Sequence, residues 1–173
     1  SLDDTRPFIP VSIAILTVSD TRTLEDDKSG QVLIDRLTKA GHRLAGRVLV
    51  KDDTQAIIAQ LRIWIADSAV DAVISTGGTG LTGRDVTPEA FHEVFDKEID
   101  GFSVLFHQIS AAKIGTSTIQ SRATAGVANG TYLFALPGSP GACQDGWDGI
   151  LKSQLDNRHR PCNFVEIMPR LME

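Results

Sequence analysis

Apolar positions along this chain come in blocks with two distinct spacings. Val11–Val18 (VSIAILTV) is a continuous apolar, β-branched run, which predicts a strand buried on both faces of a parallel sheet. A polar loop, SDTRTLEDDKSG, follows it. From Ser29 to Ala40 the residues Leu33, Leu37 and Ala40 fall on one helical face, and Gly41 supplies a stop. Arg47–Val50 predicts a short strand. Thr54–Asp67 predicts a helix with Ile57, Leu61, Trp64 and Ile65 facing inward, and Ala72–Ser75 a third strand. The next helix has Thr87 as its expected cap, Pro88 at its first position and Glu89 at the positive end of the dipole. A further helix is expected over Gly101–Ala112. GTSTIQSRATAGV reads as a loop with a short extended segment, and Tyr132–Leu136 as another buried strand. A last helix is expected from Pro140 to Leu155, with Cys143, Trp147 and Leu151 at helical spacing. The tail RPCNFVEIMPRL has no helical period and is expected to lie extended over the domain.

Strands alternating with helices predict an open α/β sheet with helices on both faces. The organisation expected is an N-terminal arm, 1–10, and one domain, 11–173, with no repeat or linker. Ligands of such sheets sit outside the carboxyl ends of the strands. That rule selects four loops: Ser19–Gly30, Lys51–Thr54, Thr76–Thr87 and Pro137–Gly141.

Composition narrows the function classes. The chain has 173 residues, 42% hydrophobic and 23% charged, as an ordinary globular domain does. Lys and Arg number 17 against 22 Asp and Glu, a net charge of −5, which speaks against general nucleic-acid binding. No apolar run reaches bilayer length and no leader pattern opens the chain, so no membrane partner is expected. Cys143 and Cys162 lack metal or disulfide spacing, which suits a reducing, cytoplasmic setting.

The sharpest motif is TGGTG, Thr76, Gly77, Gly78, Thr79 and Gly80. Glycines let backbone N–H groups approach an anion closely. A tight strand-to-helix turn is the plainer reading, but Gly83 adds a fourth glycine within seven residues. Valine at Gly78 is therefore expected to block a ligand without unfolding the domain. Gly78, Gly80 and Gly83 also spell GxGxxG, yet RDVT intervenes before the helix, which argues against a dinucleotide fold. Asp85 follows the glycine loop. A carboxylate beside a phosphate cradle implies a bridging divalent cation, and Mg²⁺ is the usual one. Asp52 and Asp53 end the second strand at the same edge, one expected to cap the next helix and the other to stay free. Ser19, Asp20, Ser29 and Gly30 flank the first loop, where Ser29 or Asp27 also suits a helix cap. Pro137, Gly138 and Ser139 of PGSPG offer a second anion or ring contact. Ser121 adds a hydroxyl, and Arg122 and Arg84 offer forked cations for phosphate. The four histidines show no ligand spacing.

Taken in order, ILTVSD, DKSG at 27–30, TGGTG, RDVTPEA, GTSTIQSRA, LPGSPGA and QLDNRHRPCNF resemble the molybdenum cofactor biosynthesis proteins of the MogA/MoaB type, the molybdopterin adenylyltransferases. The ending looks most like the MoaB branch. The resemblance implies a three-layer α/β/α sandwich with a mostly parallel sheet. It implies Mg²⁺-assisted transfer of the adenylyl group of ATP to molybdopterin with release of pyrophosphate. By resemblance Asp85 and Asp52 are the catalytic and metal-holding aspartates, and Gly77, Gly78 and Gly80 the nucleotide-phosphate loop. Ser121, Arg122 and Ser139 match positions near the pterin. The family also implies a homotrimer or homohexamer. A non-catalytic molybdopterin-binding or carrier protein is the alternative; retention of Asp52 and Asp85 favours the enzyme.

Overall fold

The computed structural model describes residues 1–173. The chain runs β1 Ser12–Val18, α1 Lys28–Lys39, β2 Arg43–Val50, α2 Thr54–Ile65, β3 Ala72–Thr76, α3 Thr87–Val94, β4 Lys97–Glu98, α4 Asp100–Ile114, β5 Thr124–Ala128, β6 Thr131–Leu136 and α5 Pro140–Gly146. A π turn, Trp147–Leu151, carries α5 on into α6 Lys152–Gln154; α7 Phe164–Ile167 follows near the end. One six-stranded sheet has the order β2-β1-β3-β6-β5-β4. β2, β1, β3 and β6 are parallel, while β5 pairs antiparallel with both β6 and β4.

Alternation along the central strands builds two cores. Ile13 and Ile15, with Ile74 and Phe134, pack against Leu33 and Leu37 of α1, Phe102 and Phe106 of α4, and Cys143 and Trp147. Ala14, Leu16 and Val18, with Val73 and Leu133, pack against Ile57, Leu61 and Trp64 of α2 and Phe91 of α3. Each large apolar side chain so buried contributes about 1.5–3 kcal/mol. Helices thus cover both faces, and the molecule is the expected three-layer α/β/α sandwich. No helix is long and apolar enough to cross a membrane.

Several local expectations need correction. β2 starts at Arg43 rather than Arg47: it is the edge strand, and its first residues, Arg43, Leu44, Ala45 and Gly46, the first three of them exposed, lack the unbroken apolar run of a buried strand. Thr87 is not a side-chain cap; its hydroxyl donates instead to the Gly77 carbonyl at 2.9 Å. The segment before β6 is half of a hairpin, turned by Asn129 (φ 46°) and Gly130 (φ 82°), the pair that two-residue hairpin turns favour. The tail is not extended. Asn163 caps α7, Val165 is buried, and the Phe164 carbonyl accepts from the Tyr132 hydroxyl at 2.7 Å. The N-terminal arm runs beside the segment before α7, with Ile9 N–H donating to Asn157 Oδ1 and Asp3 N–H to the Arg158 carbonyl.

Candidate functional site

The order β2-β1-β3 means that the chain leaves β1 for one side of the sheet and later crosses to the other. The loops after β1 and β3 therefore part there, leaving the crevice in which open α/β sheets hold ligands. A cavity of about 360 Å³ lies at this switch point, lined by Val18, Ser19, Asp20, Thr21, Arg22, Asp52, Gly77, Gly78, Asp85 and Gly138. Its walls come from the carboxyl ends of all four parallel strands. A larger cavity of about 450 Å³ lies between Arg36, Lys39, Trp147 and Lys152, beside the C-terminal turn of α1, and brings together none of the sequence motifs.

Glycines build the floor. Gly77 and Gly78 have φ of 103° and 72°, a region closed to most side chains. A Cβ on Gly77 would lie 2.2 Å from the Val18 carbonyl, so β1 and β3 could not end so close together. A Cβ on Gly78 would lie 3.1 Å from Asp52 Oδ1, and one on Gly80 2.6 Å from Asp85 Oδ2. The loop thus makes room for two carboxylates. The backbone N–H groups of Gly78, Thr79, Gly80 and Gly138 find no acceptor within the protein, and Gly78 and Gly138 lie in the cleft lining.

Asp53 caps α2 by accepting from Ala56 N–H, and Asp52 is left free at the cleft, as the sequence suggested. Burial pushes the Asp52 carboxyl above its ordinary range, and the Asp20 and Asp85 carboxylates push it further. Asp20 shifts the opposite way, chiefly because Arg84 forks onto it at 2.9 and 3.0 Å, helped by the Asp52 N–H. Asp85 Oδ2 accepts from the Thr82 N–H and hydroxyl at 3.0 and 2.9 Å. No group of three His, Cys, Asp or Glu stands ready as a metal cage. Mg²⁺ needs none: it is held by one or two carboxylates plus phosphate oxygens and water. The hard oxygen donors of Asp52 and Asp85, with the like-charge strain on Asp52, fit that ion.

The other sequence candidates turn inward. The buried Thr76 hydroxyl donates to the Pro137 carbonyl at 2.9 Å, joining two strand ends. The Ser29 hydroxyl donates to the Gly138 carbonyl at 2.6 Å. Gly30 leaves room for Asp27, whose Oδ2 would lie 2.1 Å from an added Cβ. Ser139 caps α5. Arg122 is not a free phosphate cation: it binds the Gly80 and Asp85 carbonyls at 2.8 and 3.0 Å and pairs with Glu89, while its own N–H holds the Thr79 carbonyl. Ser121 lines a separate cavity with His92 and His107. Arg84 is likewise engaged by Asp20. Arg22 lines the cleft and was missed; a lone arginine in the first strand-end loop was the available signal.

Comparison with known proteins agrees with this architecture. Residues 14–157 match the family described as "Probable molybdopterin binding domain". Molybdenum cofactor biosynthesis protein B of Escherichia coli K12 is 53% identical over 157 residues, 91% of this chain and 92% of that protein. A crystal structure of molybdenum cofactor biosynthesis protein B superposes with a TM-score of 0.87 at 38% identity, covering 96% of this chain and 99% of that one. The tungsten cofactor synthesizing protein MoaB from Pyrococcus furiosus superposes with a TM-score of 0.79 at 33% identity, covering 95% and 98%. With its glycine loop, strand-end cleft and matches over most of its length, this chain belongs to the molybdenum cofactor biosynthesis family that carries the molybdopterin-binding domain.

Proposed function

We propose that the cleft catalyses Mg²⁺-dependent adenylylation of molybdopterin by ATP. An oxygen of the terminal phosphate of molybdopterin bonds to the α-phosphorus of ATP. The bond from that phosphorus to the bridging oxygen breaks, and pyrophosphate leaves with the electron pair. The observation that carries this reading is Asp52 and Asp85 held against a glycine loop with unclaimed N–H groups, in a chain of this family. Transfer between phosphates asks for positioning and charge neutralisation rather than a protein nucleophile. Cys143, the cysteine nearest the cleft, fits that: it is buried and its thiol is pushed up to about 11. Asp52 and Asp85 would hold Mg²⁺, which supplies neutralisation of the phosphate oxygens when bound. The N–H groups of Gly78, Thr79 and Gly80 orient those oxygens, and Arg122 keeps Asp85 and the loop in register through their carbonyls.

The test is single-turnover formation of adenylylated molybdopterin with enzyme in excess. Asp85→Asn keeps the shape and removes a charge, so the rate should fall by about two to three orders of magnitude while molybdopterin still binds. A wild-type rate in that variant overturns the assignment. A wild type that binds molybdopterin but yields no product supports the non-catalytic carrier instead.

A further inference from the structure

Three carboxylates, Asp20, Asp52 and Asp85, face the cleft, and Arg22 is the one basic side chain in its lining. The neighbouring arginines are paired with a carboxylate at hydrogen-bond distance: Arg84 with Asp20, and Arg122 with Glu89 as well as two carbonyls. Arg22 is not. Its Nη2 donates to the Gly138 carbonyl at 2.9 Å and its Nη1 to Ser29 Oγ at 3.3 Å. A guanidinium has five N–H donors, so three, Nε–H among them, remain free. The side chain keeps 34% of its surface exposed.

The mount beneath it is rigid. Ser19 Oγ accepts from the N–H groups of Thr21 and Arg22 at 3.2 and 3.1 Å, fixing the backbone. Behind the guanidinium lies the fully buried Asp27, 3.8 Å from Arg22 and 3.4 Å from Arg47. One carboxylate thus faces two guanidiniums on that wall. Ser29 opens α1 and Gly138 precedes α5, on one face of the sheet, whereas Asp52 and Asp85 lead into α2 and α3 on the other. The cleft is therefore polarised across the sheet.

We propose that Arg22 is the oxyanion-binding residue of this cleft, taking a phosphate oxygen of a substrate on the wall opposite Asp52 and Asp85. The adenylylation reading supplies the ligands: the phosphate comes from ATP or from the end of molybdopterin. Ser19, Ser29 and Gly138 then act by positioning Arg22 rather than by touching the ligand through their side chains.

The test measures binding of three probes to the full chain with Mg²⁺ by calorimetry: inorganic pyrophosphate, a non-hydrolysable ATP analogue and molybdopterin. Arg22→Gln should weaken at least one by about tenfold or more, since charge-assisted bonds are lost. Loss for pyrophosphate and the analogue identifies the nucleotide; loss for molybdopterin alone identifies the acceptor phosphate. Arg22→Lys, a point charge without the fork, should recover part of the affinity. Should Arg22→Gln melt early, the Lys variant at unchanged melting temperature carries the comparison, and wild-type affinity there overturns the proposal. Unchanged affinity for all three probes in both variants also overturns it. If the wild type makes product in that case, the Arg22 assignment falls alone. If the variants lose affinity but the wild type makes no product, the adenylylation reading falls alone. A wild type that binds none of the probes removes both.

Discussion

Asp52 sits in an environment that disfavours its charge, and the cost is measurable. Burial and the carboxylates of Asp20 and Asp85 raise its pKa above 3.8. Between 3.8 and the raised value the folded state binds more protons than the unfolded chain, so stability falls as pH rises through that window. The loss persists at neutral pH until a cation offsets it. Asp52→Asn should therefore melt above the wild type at pH 7 in metal-free buffer, with the gap closing in acid where Asp52 is protonated, while adenylyl transfer is impaired. Equal or lower melting of the variant at pH 7 would contradict this account. Gly78 corrects an expectation drawn from the sequence. A side chain there meets more than a ligand, because an added Cβ would lie 2.3 Å from Thr87 Oγ1 at a φ of 72°. The strained backbone and the displaced Thr87–Gly77 hydrogen bond together make Gly78→Ala cost about 2 kcal/mol, read from urea denaturation. A variant as stable as the wild type would return Gly78 to a purely ligand-facing role.

Elements are tied together by similar non-local bonds. His42 lies between α1 and β2, 6% exposed, with its ring against Phe8 and Trp147. Its Nδ1 accepts from the Val11 N–H at 3.0 Å, just ahead of β1, which only an unprotonated nitrogen can do. Burial lowers its pKa below 6.5, partly opposed by Asp156. Below pH 6.5 the unfolded chain takes the proton first, so stability is lost as pH falls through that range. The urea midpoint should drop between pH 7.5 and 5.5, and drop less in His42→Asn, which keeps an acceptor near the same place; an equal drop would assign the effect elsewhere. Such pairings also explain what was legible in the sequence. Val11–Val18 and Tyr132–Leu136 announced themselves because both faces are buried. The start of β2 did not, since Arg43 and Leu44 lie exposed at the sheet edge. The hairpin at Asn129–Gly130 was written in two residues and overlooked beside a polar loop. The cleft was located by the strand-end rule, with Asp52, Asp85, Gly77, Gly78 and Gly138 among its walls. Individual tasks were not readable: nothing local to Ser29 or Arg22 reveals that both bind a carbonyl more than a hundred residues away.

At the scale of the whole molecule, the apolar surface left over bears on assembly. The C-terminal segment folds on its own domain, with Phe164 packed against Tyr132 and Val165 buried. Ile167 and Met172 remain exposed there, but a larger set of exposed apolar side chains lies around α4. α4 buries Phe102 and Phe106 but leaves Val104 59%, Leu105 41% and Ile114 56% exposed, and Ile119 in the following 3₁₀ turn is 76% exposed. A helix that is apolar well beyond its core-facing stripe is one built to be covered on both sides. If the trimer or dimer of trimers that the family resemblance implies forms, α4 and this turn are its expected contact, with copies related by a threefold axis each covering a neighbour's exposed face. A stable contact needs about 800 Å² from each partner, so these side chains would form its apolar centre, with the surrounding polar surface as a rim. Light scattering at micromolar protein should report a trimer or hexamer. Leu105→Glu combined with Ile119→Glu should give a folded monomer, because both positions are solvent-facing in the single chain and a buried unpaired carboxylate at the contact would be costly. Circular dichroism would confirm that the fold is kept. A monomeric wild type removes the oligomer altogether, while an unchanged trimer in the double variant moves the contact away from α4.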